Sequence, residues 1–397
     1  MTNHRKNTMY HFIYTITLLF LFFIVSPAGF CQADINDWPQ DLKSDLKEAA
    51  LAIADNWVDD RNPEKQDWAW GEGVLAYGLI KTADWSNKQE YFNFITSYIE
   101  HHQSENTEIE WSDHTTPAMA ALYISRFMDE NNEIYPISER VIDYIINAPR
   151  TNTQGMLVHL GYKADDWAIK LMNYPDAWID SLFHITPSLV MYSSLTGDET
   201  YINEAAHQIK LFIQNMRDPV TGLMAHAYYD YPKNKVVPGF SNYEFWARGN
   251  SWLICSLVEL LKELPVTHPD YYYLRDAALD FEESLRANQG EDGRFHTLLT
   301  KPDTYYETAG TALILYAMAS GYEQGLFGEE TRSAVLEGAQ GLLSETLDWH
   351  HNNTQADVTK ISIGTNPSPG LYRFVPRRSQ VSYGVGAWLM FASVFAD

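Results

Sequence analysis

Helical periodicity runs along this chain almost without interruption, and strand-like alternation is sparse. About twelve segments carry the pattern: 40–58, 70–84, 88–103, 114–130, 136–149, 179–195, 199–216, 249–264, 269–288, 307–323, 330–346 and 382–396. Turn chemistry separates several of them, as in Thr196-Gly197-Asp198 and Asp218-Pro219-Val220-Thr221-Gly222. Two helix types alternate. Runs such as 199–216 and 330–346 have a polar face and a narrow apolar stripe, so one side faces water. Runs such as 307–323 and 382–396 are rich in small residues and apolar nearly all round, which suits burial on both sides. Twelve helices in outer–inner pairs close into an all-α (α/α)6 barrel, a double ring of six helical hairpins. An all-α solenoid would carry a repeat of fixed period, and none is present. No linker divides the chain, so residues 34–397 are expected to form a single barrel domain.

Residues 1–33 read as a secretory signal. Arg5 and Lys6 precede the apolar run Ile13 to Val25, and Cys31-Gln32-Ala33 ends in the small residue a signal peptidase needs. The mature protein is expected to be exported, to the periplasm or the medium, and no later stretch has the ~20 apolar residues of a membrane span. Loss of the leader takes two cations and no acid, so the charge goes from −24 to −26. Such a balance argues against nucleic acid and anionic membrane surfaces as partners. Cys255 alone remains among the cysteines, inside an apolar run, and excludes an internal disulfide or a thiolate zinc cluster.

The segments that break the helical pattern are aromatic and polar: 61–70, 106–116, 150–180, 217–248, 291–306 and 347–381. In a double ring they gather where inner helices begin, beside unpaired amides that favour bound anions. Phe245-Trp246-Ala247-Arg248-Gly249-Asn250-Ser251-Trp252 sets an arginine between two tryptophans ahead of an apolar helix. Guanidinium holds oxyanions bidentately and stacks on aromatic faces, and indoles offer platforms for sugar C–H faces. The octapeptide reads as an acidic-sugar pocket or as buried core aromatics. Trp178-Ile179-Asp180 opens another apolar helix, with Asp180 either a helix cap or a general acid/base whose pKa burial would raise. Asp113, in Trp111-Ser112-Asp113-His114, repeats the arrangement, and which of the two carboxylates holds a proton is open. His226 falls in a long loop, and Trp70 opens a helix at the end of the 61–70 break.

In this order and spacing, Asp113-His114, Trp178-Ile179-Asp180, Leu223 to His226, Trp246 to Asn250, Glu307 to Ala312 and the Gly384–Leu389 tail resemble one family. It is the unsaturated glycuronyl hydrolases of glycoside hydrolase family 105 and, more distantly, family 88, and the likeness spans roughly residues 65–395. The resemblance implies an (α/α)6 barrel that needs no cofactor or metal. It implies an enzyme acting downstream of a polysaccharide lyase on oligosaccharides with a terminal 4,5-unsaturated uronate. Protonation at C4 and water addition at C5 give a hemiketal that collapses and releases the rest of the chain. Asp180 matches the acid/base and Asp113 the second carboxylate; His226, Trp246 and Arg248 match substrate contacts, and Trp178 and Trp70 are placed with them. His184 stands where the family pattern has methionine, and either faces the pocket or packs in the core.

The last loop carries Arg373, Arg377 and Arg378 in a very acidic protein. It is either a solvated loop or a reader of a second anion on the neighbouring sugar, which points to ulvan fragments ending in unsaturated glucuronyl-rhamnose-3-sulfate. Pectic rhamnogalacturonan fragments are the close rival. Another carbohydrate-active enzyme on the same barrel and a non-catalytic glycan binder are the readings from other classes.

Overall fold

The computed structural model describes residues 38–129, 131–230, 232–237 and 243–396; the leader at 1–33 lies outside them. Thirteen helices are present among these residues. They are α1 (Gln40–Asp59), α2 (Trp70–Ser86), α3 (Gln89–Ser104), α4 (Ala118–Tyr123), α5 (Pro136–Asn147), α6 (Trp167–Met172), α7 (Asp180–Thr196), α8 (Thr200–Met216), α9 (Ala247–Glu263), α10 (Tyr271–Arg286), α11 (Thr308–Glu323), α12 (Glu329–Glu345) and α13 (Ser382–Ser393). Each of the twelve expected helices is there, and the short α6 is additional. The segment expected at 114–130 begins late: residues 112–114 make a 3-10 turn, Pro117 precedes α4, and a π turn at Ile124–Met128 ends it. Asn87 ends α2 in the left-handed conformation that asparagine tolerates.

Helices α2, α4, α7, α9, α11 and α13 each pack on the next, and α13 packs back on α2, so the inner ring closes. Helices α1, α3, α5, α8, α10 and α12 lie outside them. The fold is an (α/α)6 barrel. Composition explains the sorting: fourteen of sixteen residues of α11 are buried, against seven of seventeen in the amphipathic α12. The seam between α2 and α13 requires glycine. A Cβ on Gly78 would lie 2.4 Å from the Gly386 carbonyl oxygen, and one on Gly386 would lie 2.3 Å from that of Val74.

Strand structure is confined to short ladders in the loops. β1 (Ala177–Trp178), β2 (Ala227–Tyr229) and β3 (Lys235–Val237) form one antiparallel sheet, with Trp178 opposite Ala227. β4 (Leu347–His350) pairs β5 (Gln355–Val358), and β6 (Ile361–Ser362) pairs β7 (Arg377–Arg378) with Ser362 opposite Arg377. These ladders fix the loops at the mouth of the barrel. Among the described residues no helix is long and apolar enough to cross a membrane.

Candidate active site

A cavity of about 320 Å3 opens where the inner helices begin. Its wall takes Trp70 from the start of α2, Asp113 from the turn before α4, Asp180 and His184 from α7, and Trp246 and Arg248 from the start of α9. Trp178, His159 and the loop Gly364–Asn366 complete it. A wider neighbouring cleft of about 430 Å3 shares Leu160, Ile169 and Tyr174 with it but carries none of the predicted site residues.

The sheet places the acid/base candidate. β1 runs straight into α7, and the Ile179 amide donates to the His226 carbonyl at 2.9 Å, so Trp178, Asp180 and His226 are held by one ladder. His226, expected on a loop, is 1 % exposed. Its Nε2 lies 3.3 Å from Asp180 Oδ2, and its Nδ1 is 2.9 Å from the Tyr372 hydroxyl. Trp252 Nε1 donates to Asp180 Oδ1 at 3.2 Å. The second tryptophan of the octapeptide is therefore a buried support for Asp180 rather than a sugar platform.

Asp113 has different company. Its Oδ1 is 3.4 Å from His159 Nε2 and 3.6 Å from His184 Nδ1. His159 stacks flat on Trp178, with centroids 4.5 Å apart, and its Nδ1 is fixed by Ser112 Oγ at 2.7 Å and Ser181 Oγ at 3.0 Å. Burial pushes His159 down to about 3 and His184 down to about 4, so both imidazoles are neutral at neutral pH.

The two carboxylates titrate in opposite directions. Burial, then the charge of Asp180, pushes Asp113 up to about 8. Burial pushes Asp180 up as well, but the contact with His226, the largest of its lowering partners, outweighs that and brings its carboxyl down to about 2. With His159 and His184 neutral, His226 is the partner that keeps Asp180 ionised. Burial was expected to raise Asp180; it is Asp113 that carries the proton. Among the described residues Asp113, His159 and His184 are the one trio with donor atoms close enough, within 4.8 Å, to share an ion. Two neutral imidazoles and a protonated carboxyl make it a corner of mixed hydrogen-bond donors and acceptors.

Arg248 is 1 % exposed and largely committed to the protein. Nη1 donates to Ser362 Oγ at 2.6 Å and stands 3.4 Å from Glu307 Oε1, and Nη2 donates to the Ile363 carbonyl at 3.2 Å. Its guanidinium lies 4.5 Å from the Trp246 ring and 4.8 Å from that of Tyr383. The bidentate grip expected of it is spent on β6, and Nε alone lacks a partner. Asp180 Oδ2, both His184 nitrogens, His226 Nε2 and Trp246 Nε1 are also buried without hydrogen-bond partners in the protein. Unpaired buried polar atoms are costly. Their gathering at one cavity shows where a polar ligand belongs.

The structure thus brings together Asp113, Asp180, His226, Trp246, Arg248, Trp178, Trp70 and His184. It does not bring Arg377 and Arg378 to the cavity wall; both are exposed on β7. Sequence reasoning missed His159 and Tyr372, and gave no role to Glu307, whose carboxylate caps α11 through Ala309 N and Gly310 N while facing Arg248. Nothing flanking His159 announces it. Tyr372 lay in a loop singled out for its arginines.

Paired acids in an aromatic, sugar-sized pocket at the mouth of an (α/α)6 barrel define a carbohydrate-active hydrolase. The chain matches the model of Glycosyl Hydrolase Family 88 over residues 46–395 and belongs to that family of glycoside hydrolases. It is 23% identical to an unsaturated rhamnogalacturonyl hydrolase of Bacillus subtilis, over 82% of this chain and 88% of the relative. It is 25% identical to an unsaturated 3S-rhamnoglycuronyl hydrolase of an Alteromonas species, over 54% of this chain and 50% of that one. A crystal structure of a possible family 105 member from Salmonella enterica superposes with a TM-score of 0.72 at 22% identity, covering 90% of this chain and 93% of the other.

Proposed function

We propose that this protein removes the non-reducing-end 4,5-unsaturated uronic acid from lyase-generated oligosaccharides by hydrating the C4=C5 vinyl ether. The observation that carries the reading is one pocket holding a protonated and an ionised carboxyl at once. Protonating carbon calls for a carboxylic acid in a dry site, and adding water calls for a base. At rest the proton is on Asp113 and Asp180 is the anion. A uronate carboxylate entering the pocket adds a further negative charge and disfavours ionised Asp180, so the proton of the pair becomes available to C4 from Asp180. Asp180, left as carboxylate, then takes a proton from the water that adds to C5. The resulting hemiketal opens and the neighbouring sugar leaves with its hydroxyl restored.

For the neighbouring sugar we propose rhamnose 3-sulfate, as in ulvan fragments. Support comes from the arginine-bearing loop, the acidic chain and the Alteromonas relative's name. The second reading, pectic rhamnogalacturonan fragments, is favoured by the name of the Bacillus subtilis relative, which spans more of the chain. Export through the leader at 1–33 belongs to the same proposal, and N-terminal sequencing of the mature protein beginning at Asp34 tests it.

The reaction destroys the ultraviolet chromophore of the unsaturated uronate. Purified protein added to lyase-digested ulvan and, in parallel, to lyase-digested rhamnogalacturonan is expected to remove that absorbance on ulvan, with Asp180→Asn as the inactive control. Loss on pectic fragments alone would keep the chemistry and discard the ulvan reading. Loss on no unsaturated uronide would overturn the function.

A further inference from the structure

His184 needs explaining. It sits one turn into α7 after Asp180, is 1 % exposed, and neither ring nitrogen has a hydrogen-bond partner in the protein. A buried imidazole left this way costs stability. Aromatic rings hold it in place: Trp70 stacks on it at 6.2 Å, Trp252 meets it edge-on at 6.1 Å, and His159 is tilted toward it at 6.2 Å. Its Nδ1 is 3.6 Å from Asp113 Oδ1, and the ring lines the cavity.

The chemistry of the corner defines what fits it. Burial keeps His184 neutral, with one N–H and one lone pair. A hydroxyl group, which both donates and accepts, satisfies such a ring. A sulfate or carboxylate only accepts, so it can use the N–H but leaves the ring's lone pair facing an oxygen instead of a donor. Arg248 packs on a different ring of the wall: its guanidinium lies 4.8 Å from Tyr383, which stacks at 4.3 Å on Trp70, the ring that covers His184. On an unsaturated uronate the carboxylate at C5 lies across the ring from the C2–C3 edge. A ring that turns its carboxylate to Arg248 therefore offers its free hydroxyls to His184 and Asp113.

We propose that His184 reads a free hydroxyl on the C2–C3 edge of the unsaturated uronate, so that the pocket selects uronates unsubstituted there over those sulfated on that edge. The inference rests on the uronide reading above. It makes His184 a specificity-determining residue.

The probes are the methyl glycoside of unsaturated glucuronic acid and its 2-O-sulfate, titrated calorimetrically into the Asp180→Asn protein. The unsulfated glycoside is expected to bind at least about tenfold more tightly. Adding His184→Met should weaken the unsulfated glycoside about tenfold and the sulfated one by less than about twofold. His184→Gln, whose amide keeps a donor and an acceptor, should recover part of the loss. In turnover, His184→Met should raise KM on the accepted oligosaccharide and leave kcat within about threefold. Equal affinity for the two glycosides, or an unsulfated affinity in His184→Met within about twofold of its parent, would overturn the proposal. The Gln variant decides the matter if the Met variant fails to fold. Loss of absorbance on unsaturated oligosaccharides together with equal glycoside affinities would sink the His184 role alone. No absorbance loss on any of them would sink the uronide reading and this inference with it.

Discussion

Asp113 and Asp180 look interchangeable in the sequence and behave as opposites in the fold. Each stands where the chain turns into an inner helix, each within two residues of a tryptophan, and each is buried in one cavity. Asp113 faces two imidazoles that burial keeps neutral, and its carboxyl rises to about 8. Asp180 faces His226 and the Trp252 N–H, and falls to about 2. Position at a helix start does not decide protonation; the neighbours do. Two like sites with unlike partners can hold one shared proton between them.

The largest effect should come from breaking the Asp180 side. Asp180→Asn is expected to lower kcat by about 10³-fold or more, since it removes both the carboxyl that gives its proton to C4 and the carboxylate that takes one from water. Asp113→Asn resembles the protonated acid already present, so it should bind substrate with KM little changed while kcat falls about 10²-fold. Steady-state kinetics on the accepted oligosaccharide checks both. A larger kcat loss in Asp113→Asn than in Asp180→Asn would reverse the assigned roles.

Changing pH sharpens the same contrast. Asp113 is raised from its ordinary 3.8 to about 8, so between those values the folded protein holds a proton that the unfolded chain has lost. Stability therefore falls as pH rises from about 4 to about 8. For Asp180, lowered to about 2, stability rises with pH between about 2 and 4. Denaturant melts of wild type and Asp113→Asn at pH 5 and pH 8 should show the variant gaining on wild type by at least about 1.4 kcal/mol, the equivalent of one pKa unit. Activity should decline on the alkaline side near pH 8 as the pair loses its proton. A pH-independent difference between the two proteins would show Asp113 to be an ordinary carboxylate.

How much of this was legible beforehand follows the same line between position and partner. The barrel was legible because eleven of its twelve main helices run to twelve residues or more and are periodic, and because inner runs such as 307–323 differ in composition from outer ones such as 330–346. The ladders β1–β2–β3 and β6–β7 were not, since strands of two or three residues carry no period. Site membership was largely legible through ordered motifs at helix starts. The state of each group was not: that Arg248 spends both terminal nitrogens on β6 and its loop, and that Trp252 serves Asp180, depends on contacts made more than 70 residues away in sequence. Tyr372 was hidden for the same reason, 146 residues from the imidazole it touches.

Tyr372 offers a smaller perturbation of the Asp180 side. Its hydroxyl is buried, is pushed well above the ordinary tyrosine value by desolvation, and lies 2.9 Å from His226 Nδ1. That contact fixes the ring whose Nε2 lies 3.3 Å from Asp180 Oδ2. Tyr372→Phe removes the constraint, and kcat should fall about tenfold with KM nearly unchanged. A change confined to KM would place Tyr372 in substrate binding instead.

The smallest effect is expected at the arginines outside the cavity. Arg377 lies over the Tyr305 ring at 4.8 Å, in register with Ser362, the residue that holds Arg248. Arg373 is already paired with Asp303 at 3.0 Å. If the loop reads a sulfate on the neighbouring sugar, it does so with exposed charges in water, where each such contact contributes about 1 kcal/mol or less. Replacing Arg377 and Arg378 together with alanine should therefore raise KM on a sulfated oligosaccharide no more than about thirtyfold, an effect that weakens with added salt, and leave its unsulfated counterpart within about twofold. Equal changes on both would assign these arginines to holding β7 against β6. Since β6 anchors Arg248, such a change would then surface on the carboxylate side of the pocket rather than at the sulfate.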